Sequence, residues 1–193
     1  MRSIMATLGV VFFMLSVAPV LLHAEQVVFE RPTWVVGEIR EYVNQKGETS
    51  RYKITEVSET GFVAVRNDNE RIEFDRDGNR VEFEVQWLKF PLQIGKKWKY
   101  ESRGGAASNL PLGVTYVNDV EVKKITTVTI KAGTFEVMLI DLCWNRSDYS
   151  RVTGCFKLWY SPKTKWFVKR ESPSGSPARE RDFELVSYTL AGE

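Results

Sequence analysis

Val81-Glu82-Phe83-Glu84-Val85-Gln86-Trp87 decides how this chain of 193 residues is read. Val81, Phe83, Val85 and Trp87 alternate with Glu82, Glu84 and Gln86, the period of two that puts apolar side chains on one face of a strand and charges on the other. The same period recurs outward in both directions: Trp34 to Val43, Arg51 to Val57, Phe62 to Arg66, Arg71 to Asp75, Lys97 to Glu101, Val114 to Val122, Thr126 to Ile130, Phe135 to Trp144, Gly154 to Tyr160, Trp166 to Arg170 and Glu180 to Leu190. Turn chemistry separates these runs at Lys46-Gly47, Thr60-Gly61, Asp77-Gly78, Ala132-Gly133 and Ser161-Pro162. The pattern predicts an all-β fold, an antiparallel meander of about ten strands. A meander of that length has to close or curl to hide its edges and one apolar face, so an open or half β-barrel is expected. No window of twelve residues carries a helical stripe, although Ala178 to Val186 reads either way.

Composition bounds the class. With 43% hydrophobic and 12% aromatic residues, and Lys+Arg 27 against Asp+Glu 25, the chain has the makeup of one folded domain rather than a disordered, collagenous or disulfide-scaffold protein. Residues 1–24 carry Arg2, then an apolar run from Ile4 to Leu22, then the small residue Ala24 before Glu25. That layout is a cleavable secretory signal, with an uncleaved membrane anchor as the second reading. Pro19 and Ala24 favour cleavage, and no cysteine lies near the exit for attachment of lipid. The expected organisation is therefore a signal peptide at 1–24 and a single β domain at 25–193, periplasmic or secreted, that meets a membrane only through its transient signal.

Cleavage removes His23, the single histidine of the chain. The mature protein then lacks imidazole, which excludes Ser/His/Asp and Cys/His nucleophiles, histidine general bases, and zinc or copper sites built on histidine. No metal site, cofactor or catalytic residue is expected. Residues 38–86 hold 8 basic and 12 acidic side chains, while 89–131 hold 8 basic and 3 acidic. The basic stretch reads as a mixed solvated surface or as a groove for an anionic partner.

Cys143 and Cys155 lie symmetrically about Tyr149. A simple hairpin there places them opposite one another, and a non-hydrogen-bonded pair has Cα atoms about 4.5 Å apart, within disulfide range. Export favours the bond, and without a C-x-x-C spacing the bond reads as a structural staple rather than a redox pair. Trp87, Trp98, Tyr100, Tyr116, Trp159 and Trp166 fall at inward positions, where they either line a ligand concavity or simply form core.

Other constellations have ordinary structural explanations beside their chemical ones. Glu82 with Glu84, or Glu73 with Asp75, places two carboxylates on one strand face roughly 6 to 7 Å apart, as glycoside hydrolysis uses, but alternating surface acids give the same pattern. Asp75, Asp77 and Asn79 around Gly78 suggest a calcium loop or a hairpin turn, and Gln86 stands where the EF-hand pattern needs Glu. Ser161 near Lys163 and Lys165 could form a Ser/Lys dyad, though no helix places them. Gly95-Lys96 lacks the upstream glycine of a phosphate loop. Lys96-Lys97-Trp98-Lys99-Tyr100 interleaves bases and aromatics as nucleic-acid platforms do, but it is equally an amphipathic strand, and export argues against a nucleic-acid partner.

Phe90-Pro91-Leu92-Gln93-Ile94-Gly95-Lys96-Lys97-Trp98-Lys99-Tyr100, Ala132-Gly133-Thr134-Phe135-Glu136-Val137, and Trp159-Tyr160-Ser161-Pro162 followed by Val168-Lys169-Arg170 resemble a signature of exported bacterial β-proteins. In that TapB-like, or domain-of-unknown-function, group a PL-x-x-G-x-x-W-x-Y segment precedes an AGTF hairpin and a WY-x-P strand. The resemblance spans about residues 90–170. It implies a fold similar to the open half-barrel of periplasmic lipoprotein carriers, whose concave face holds acyl chains, although this sequence lacks their helical lid. It supplies no catalytic residues. The expectation is a non-enzymatic binding module for an apolar or amphipathic small molecule or lipid, or for an envelope protein; a protein-interaction module without small ligand and a carboxylate hydrolase are the alternatives.

Overall fold

Turn residues cut the chain where the sequence places them. The computed structural model describes residues 27–103, 114–148 and 154–192; the expected signal at 1–24 and the turn around Tyr149 lie outside these residues. Among the described residues twelve strands form: β1 (Val28–Phe29), β2 (Ile39–Asn44), β3 (Thr49–Val57), β4 (Gly61–Arg66), β5 (Glu70–Asp75), β6 (Leu92–Gln93), β7 (Lys97–Arg103), β8 (Thr115–Ile130), β9 (Gly133–Arg146), β10 (Gly154–Ser161), β11 (Trp166–Glu171) and β12 (Phe183–Thr189). The ambiguous tail resolves into a 3-10 turn at Pro177–Arg181, capped by Ser176 accepting from the Ala178 amide at 3.2 Å, followed by β12. The runs at 114–122 and 126–130 are one strand, β8, interrupted by an irregularity in register between Val122 and Lys124.

Ten strands make one antiparallel sheet in the order β5-β4-β3-β2-β12-β11-β10-β9-β8-β7, and β1 pairs separately with β6. Two meanders, β2 to β5 and β7 to β12, are thus joined where β12 pairs with β2. Strands in a sheet stand about 4.8 Å apart, so β11 and β5, five places apart, would be roughly 24 Å from one another in a flat sheet. Instead the Trp166 ring on β11 lies 4.8 Å from Phe74 on β5 and 5.6 Å from Phe62 on β4. Only a strongly curled sheet allows this. No ladder joins the edge strands β5 and β7 among the described residues, so the architecture is the open half-barrel expected from the sequence. Both edges are charged, with Glu70, Arg71, Glu73 and Asp75 on one and Lys97, Lys99 and Arg103 on the other, which discourages pairing with a second chain.

The clearest strand of the sequence reading, Val81 to Trp87, is not a strand. It lies within an arch, residues 76–91, that leaves β5 and returns to β6. Alternation reports that a segment is amphipathic, whereas a strand also needs a ladder partner; beyond Val81, whose amide still donates to the Glu73 carbonyl on β5 at 3.0 Å, this segment is tied down by side chains instead. Asn79 donates from Nδ2 to the Leu88 carbonyl at 2.9 Å and accepts at Oδ1 from the Leu88 amide at 2.8 Å; Trp98 Nε1 donates to the Gln86 carbonyl at 2.7 Å. Glu84 sits at φ 52°, which ends the extended run. At the foot of the arch Gly78 takes φ 88°, and a Cβ there would stand 3.0 Å from the Trp34 ring, so a side chain at this position would meet both backbone strain and the indole.

The arch and β1 fill one half of the concavity. Phe29, Leu88, Phe90 and Leu92 pack onto Trp98, Tyr100, Val120, Val122, Met138, Ile140, Leu142, Phe156, Leu158, Tyr160 and Phe167 from β7 to β11. Trp34 plugs the other half against Ile54, Phe62, Ala64, Ile72 and Phe74. A third cluster joins the β8–β9 hairpin (Ile130, Phe135, Val137) to Val168, Leu185 and Tyr42.

Cys155 pairs with Cys143 across the β9–β10 ladder, with Cα atoms 4.0 Å apart, and the two form a disulfide as expected. The bond closes a short loop, with a sequence separation of 12, so loop entropy limits its contribution to about 3 kcal/mol. The double variant Cys143→Ser/Cys155→Ser is expected to lose up to that amount in urea unfolding while keeping its β-sheet circular dichroism. Loss of the fold would show that the staple holds more than one hairpin.

Candidate functional site

Between the plug around Trp34 and the arch the curled sheet leaves a cavity of about 300 Å³ that is open to solvent. Its floor is built by alternation. On β2, Arg40, Tyr42 and Asn44 share the inward phase; on β3, Ser50 and Tyr52; on β4, Arg66; on β5, Phe74. Trp166 and Phe167 of β11 and Phe183 of β12 continue the wall, and Gly78, Arg80, Val85 and Trp87 of the arch cover it, with Glu180 and Arg181 of the 3-10 turn at the mouth. Seven aromatic rings therefore surround a space of the size that small-molecule sites begin at, about 300 Å³.

Cross-strand pairing places Arg40 opposite Tyr52 and Tyr52 opposite Arg66, so two guanidiniums flank one phenol on adjacent strands. Arg40 is 1% exposed. Its Nη2 donates to Glu38 Oε2 at 3.0 Å, its Nε donates to the Thr164 carbonyl at 2.9 Å, and its guanidinium stands 5.4 Å from the Trp34 ring and 5.8 Å from the Trp166 ring. Glu38 is also bound by Lys165 Nζ, which donates to the Thr33 carbonyl at 2.8 Å as well. Arg66 pairs with Glu70. Arg80 pairs with Glu82 at 3.2 Å while its buried Nε has no partner among the described residues. Arg181, whose pKa burial lowers against the opposing charge of Glu180, makes no ion pair among the described residues.

Of the aromatics singled out from the sequence, Trp87 and Trp166 line this cavity. Trp98 and Tyr100 belong to the cluster that packs with Leu88 and Phe90 of the arch, Trp98 holding the arch by its indole N–H, and Tyr116 on β8 is 2% exposed. Trp159 alternates with the buried Leu158 and Tyr160, belongs to the third cluster, and lies under Lys169 Nζ at 5.2 Å. None of these four lines the cavity: Trp98 and Tyr100 are consumed by packing against the arch, and Trp159 packs in the third cluster.

The other constellations resolve into structure. Glu82 and Glu84 are 67% and 60% exposed and face Arg80 and Arg103 rather than each other across a cleft. Asp75 Oδ1 accepts from the amides of Asp77 and Asn79, so its lone pairs serve the turn. The Ser161 hydroxyl is buried without a hydrogen-bond partner among the described residues, and Lys165 is engaged by Glu38. In the basic stretch Lys97 pairs with Glu121 at 3.4 Å, Lys99 with Asp119 at 2.8 Å and Lys123 with Glu121 at 3.0 Å, a surface of exposed ion pairs rather than a groove. The charges that do converge, Arg40, Arg66 and Arg80, come from the half of the chain whose net charge is negative. A visible signal was available: Arg40 and Arg66 occupy the same phase as Tyr42 and as Phe62 and Ala64, and a charge on the apolar phase of a strand marks a buried pair or a site.

No protein-family model and no curated protein matches the sequence. Among solved structures the fold is similar to the hypothetical lipoprotein YmcC of Escherichia coli (K12), with a TM-score of 0.51 at 8% identity over 83% of this chain and 91% of that one. Weaker likenesses are to a protein described as a lipoprotein from Parabacteroides distasonis (TM-score 0.35, 13% identity, 83% of this chain and 97% of that one) and to one described as an exported protein with a YmcC-like fold from Bacteroides fragilis (TM-score 0.38, 14% identity, 85% and 100%). At this level of identity the YmcC likeness establishes the fold alone.

Proposed function

We propose that this chain is a non-enzymatic, exported protein of the bacterial envelope, periplasmic or secreted, whose curled sheet holds an apolar or amphipathic ligand. The observation that carries the reading is the solvent-open cavity of about 300 Å³ walled by Tyr42, Tyr52, Phe74, Trp87, Trp166, Phe167 and Phe183. A core that needed only to be stable would close this space, since protein interiors are packed like organic crystals. The disulfide fits an oxidising compartment, as do the expected signal at 1–24 and the description of YmcC as a lipoprotein. On this reading the curled sheet serves as the holding surface, and the arch at 76–91 covers part of the space it encloses.

Titration with N-phenyl-1-naphthylamine, a neutral dye that brightens in apolar surroundings, tests the reading. Saturable binding of one dye per chain with energy transfer from tryptophan is expected, and Trp87→Phe, which removes one of the two indoles lining the cavity, should weaken the transfer without ending it. A wild-type protein that shows no saturable binding would reject the ligand reading and move an envelope protein partner ahead.

A further inference from the structure

The cavity is apolar in its walls but one-sided in its charge. Four guanidiniums line it, Arg40, Arg66, Arg80 and Arg181, against a single carboxylate, Glu180, which pairs outward with Lys46 at 3.2 Å. The carboxylates that balance the others, Glu38, Glu70 and Glu82, do not line the space. They pair with the arginines from outside the lining, so the charged groups of the cavity wall are mainly N–H donors. The donors also come from opposite sides: Arg40 and Arg66 from the sheet, Arg80 from the arch, Arg181 from the turn at the mouth. Arg40 is fixed by burial and two hydrogen bonds, a preorganised charge at the floor, while the buried Nε of Arg80 has no acceptor among the described residues. Planar guanidiniums match the two oxygens of a carboxylate or a phosphate.

We propose that the cavity selects amphipaths with a negatively charged oxyanion head, a carboxylate or a phosphate monoester, over neutral or cationic amphipaths of equal chain length. The inference rests on the ligand-binding reading above and adds the head group to it. The aromatic wall takes the chain; Arg80 of the arch and Arg181 of the 3-10 turn, which both line the space, take the head.

Calorimetric titration of the whole mature protein with dodecanoate, dodecyl phosphate, dodecanol and dodecylamine, each below its micelle concentration, reads the selectivity. The two anions are expected to bind about ten- to a hundredfold more tightly than dodecanol, the range that one or two charge-assisted hydrogen bonds give, and dodecylamine most weakly. Added salt should narrow the gap, and Arg80→Gln/Arg181→Gln should collapse the ratio of dodecanoate to dodecanol toward one; the single variant Arg181→Gln, at the surface, should narrow it in a protein whose core is untouched. A preference for dodecanoate or for dodecyl phosphate over the other separates a fatty-acid head from a phosphate head. Dodecanol binding as tightly as both anions would overturn the proposal and leave the ligand reading standing. Saturable binding by none of the four would overturn both.

Discussion

Glu38→Gln is expected to lower the unfolding free energy by about 3–5 kcal/mol, the cost of leaving a buried charge without its partner. Glu38 is 0% exposed and is shared by Arg40 and Lys165, while the Arg40 guanidinium stands against both the Trp34 and Trp166 rings, which also touch each other. Gln keeps the shape but removes the charge, so the guanidinium remains in a low-dielectric site with the Thr164 carbonyl as its other acceptor. The neighbours make the effect larger than local. Trp166 and Trp34 connect β11 to Phe62 and Phe74, the contacts that keep the sheet curled. Urea unfolding of Glu38→Gln and of Glu38→Leu/Arg40→Met checks the argument: the double variant should be closer to wild type than the single one, because it removes the fully buried guanidinium and leaves only Lys165, whose side chain is 21% exposed and reaches water. A single variant within about 1 kcal/mol of wild type, the scale of an exposed pair, would show that the ion triad is solvated.

The second large effect is alkaline. Burial pushes the phenols of Tyr42, Tyr100 and Tyr160 well above their ordinary 10.0. Tyr42 donates to the Phe167 carbonyl at 3.0 Å, and the Tyr160 hydroxyl has no acceptor among the described residues. In the unfolded chain these groups release protons near pH 10, while in the folded one they keep them. A raised folded pKa gives stability that is complete below the unfolded value and lost as pH rises past it. Each phenol then removes about 1.4 kcal/mol per pH unit. Arg170 opposes this: burial, only partly offset by Asp182, lowers its pKa to about 10, so above that pH the folded state holds fewer protons there than the unfolded one. The three losses outweigh the gain at Arg170 and a smaller one at Lys96, whose pKa burial also lowers, and leave a fall of up to about 3 kcal/mol per pH unit above pH 10. Stability measured by urea unfolding at a series of pH values should be flat near neutrality and drop steeply beyond pH 10. The variant Tyr160→Phe should soften that slope by a third to a half. A flat profile through that range would mean that the phenols reach solvent.

The strands were legible because two local signals agree along most of the chain: a period of two, and Gly-, Pro- or Asn-containing turns at the breaks. Val81 to Trp87 carries the first signal as strongly as any run, yet its partner is not a strand. The Asn79 side chain, two residues upstream, clamps the arch through Leu88, and nothing in a pattern of alternation registers a side chain that caps a distant backbone. Strand order was less legible still. Placing β12 between β2 and β11 depends on the two meanders meeting in space, through Tyr42, Phe183 and Leu185. For the site, Trp87 and Trp166 looked the same in sequence as Trp98 and Tyr116. Which inward aromatic is covered depends on where the arch lies, a tertiary fact. The arginines were readable in principle, since Arg40 breaks the apolar phase of its strand, but the same break would arise from a buried ion pair alone, and Arg40 is in one.

Native mass spectrometry of the mature protein isolated gently from its own host's envelope, alongside Ser50→Trp prepared identically, tests the central claim most directly. Ser50 lines the cavity on β3, and an indole there occupies the space that a ligand would take. The account predicts that the wild-type protein carries an added mass that organic extraction removes, and that Ser50→Trp, with an unchanged circular dichroism spectrum, runs at the bare monomer mass. Wild-type protein that is itself empty, or a ligand carried equally by Ser50→Trp, would contradict it.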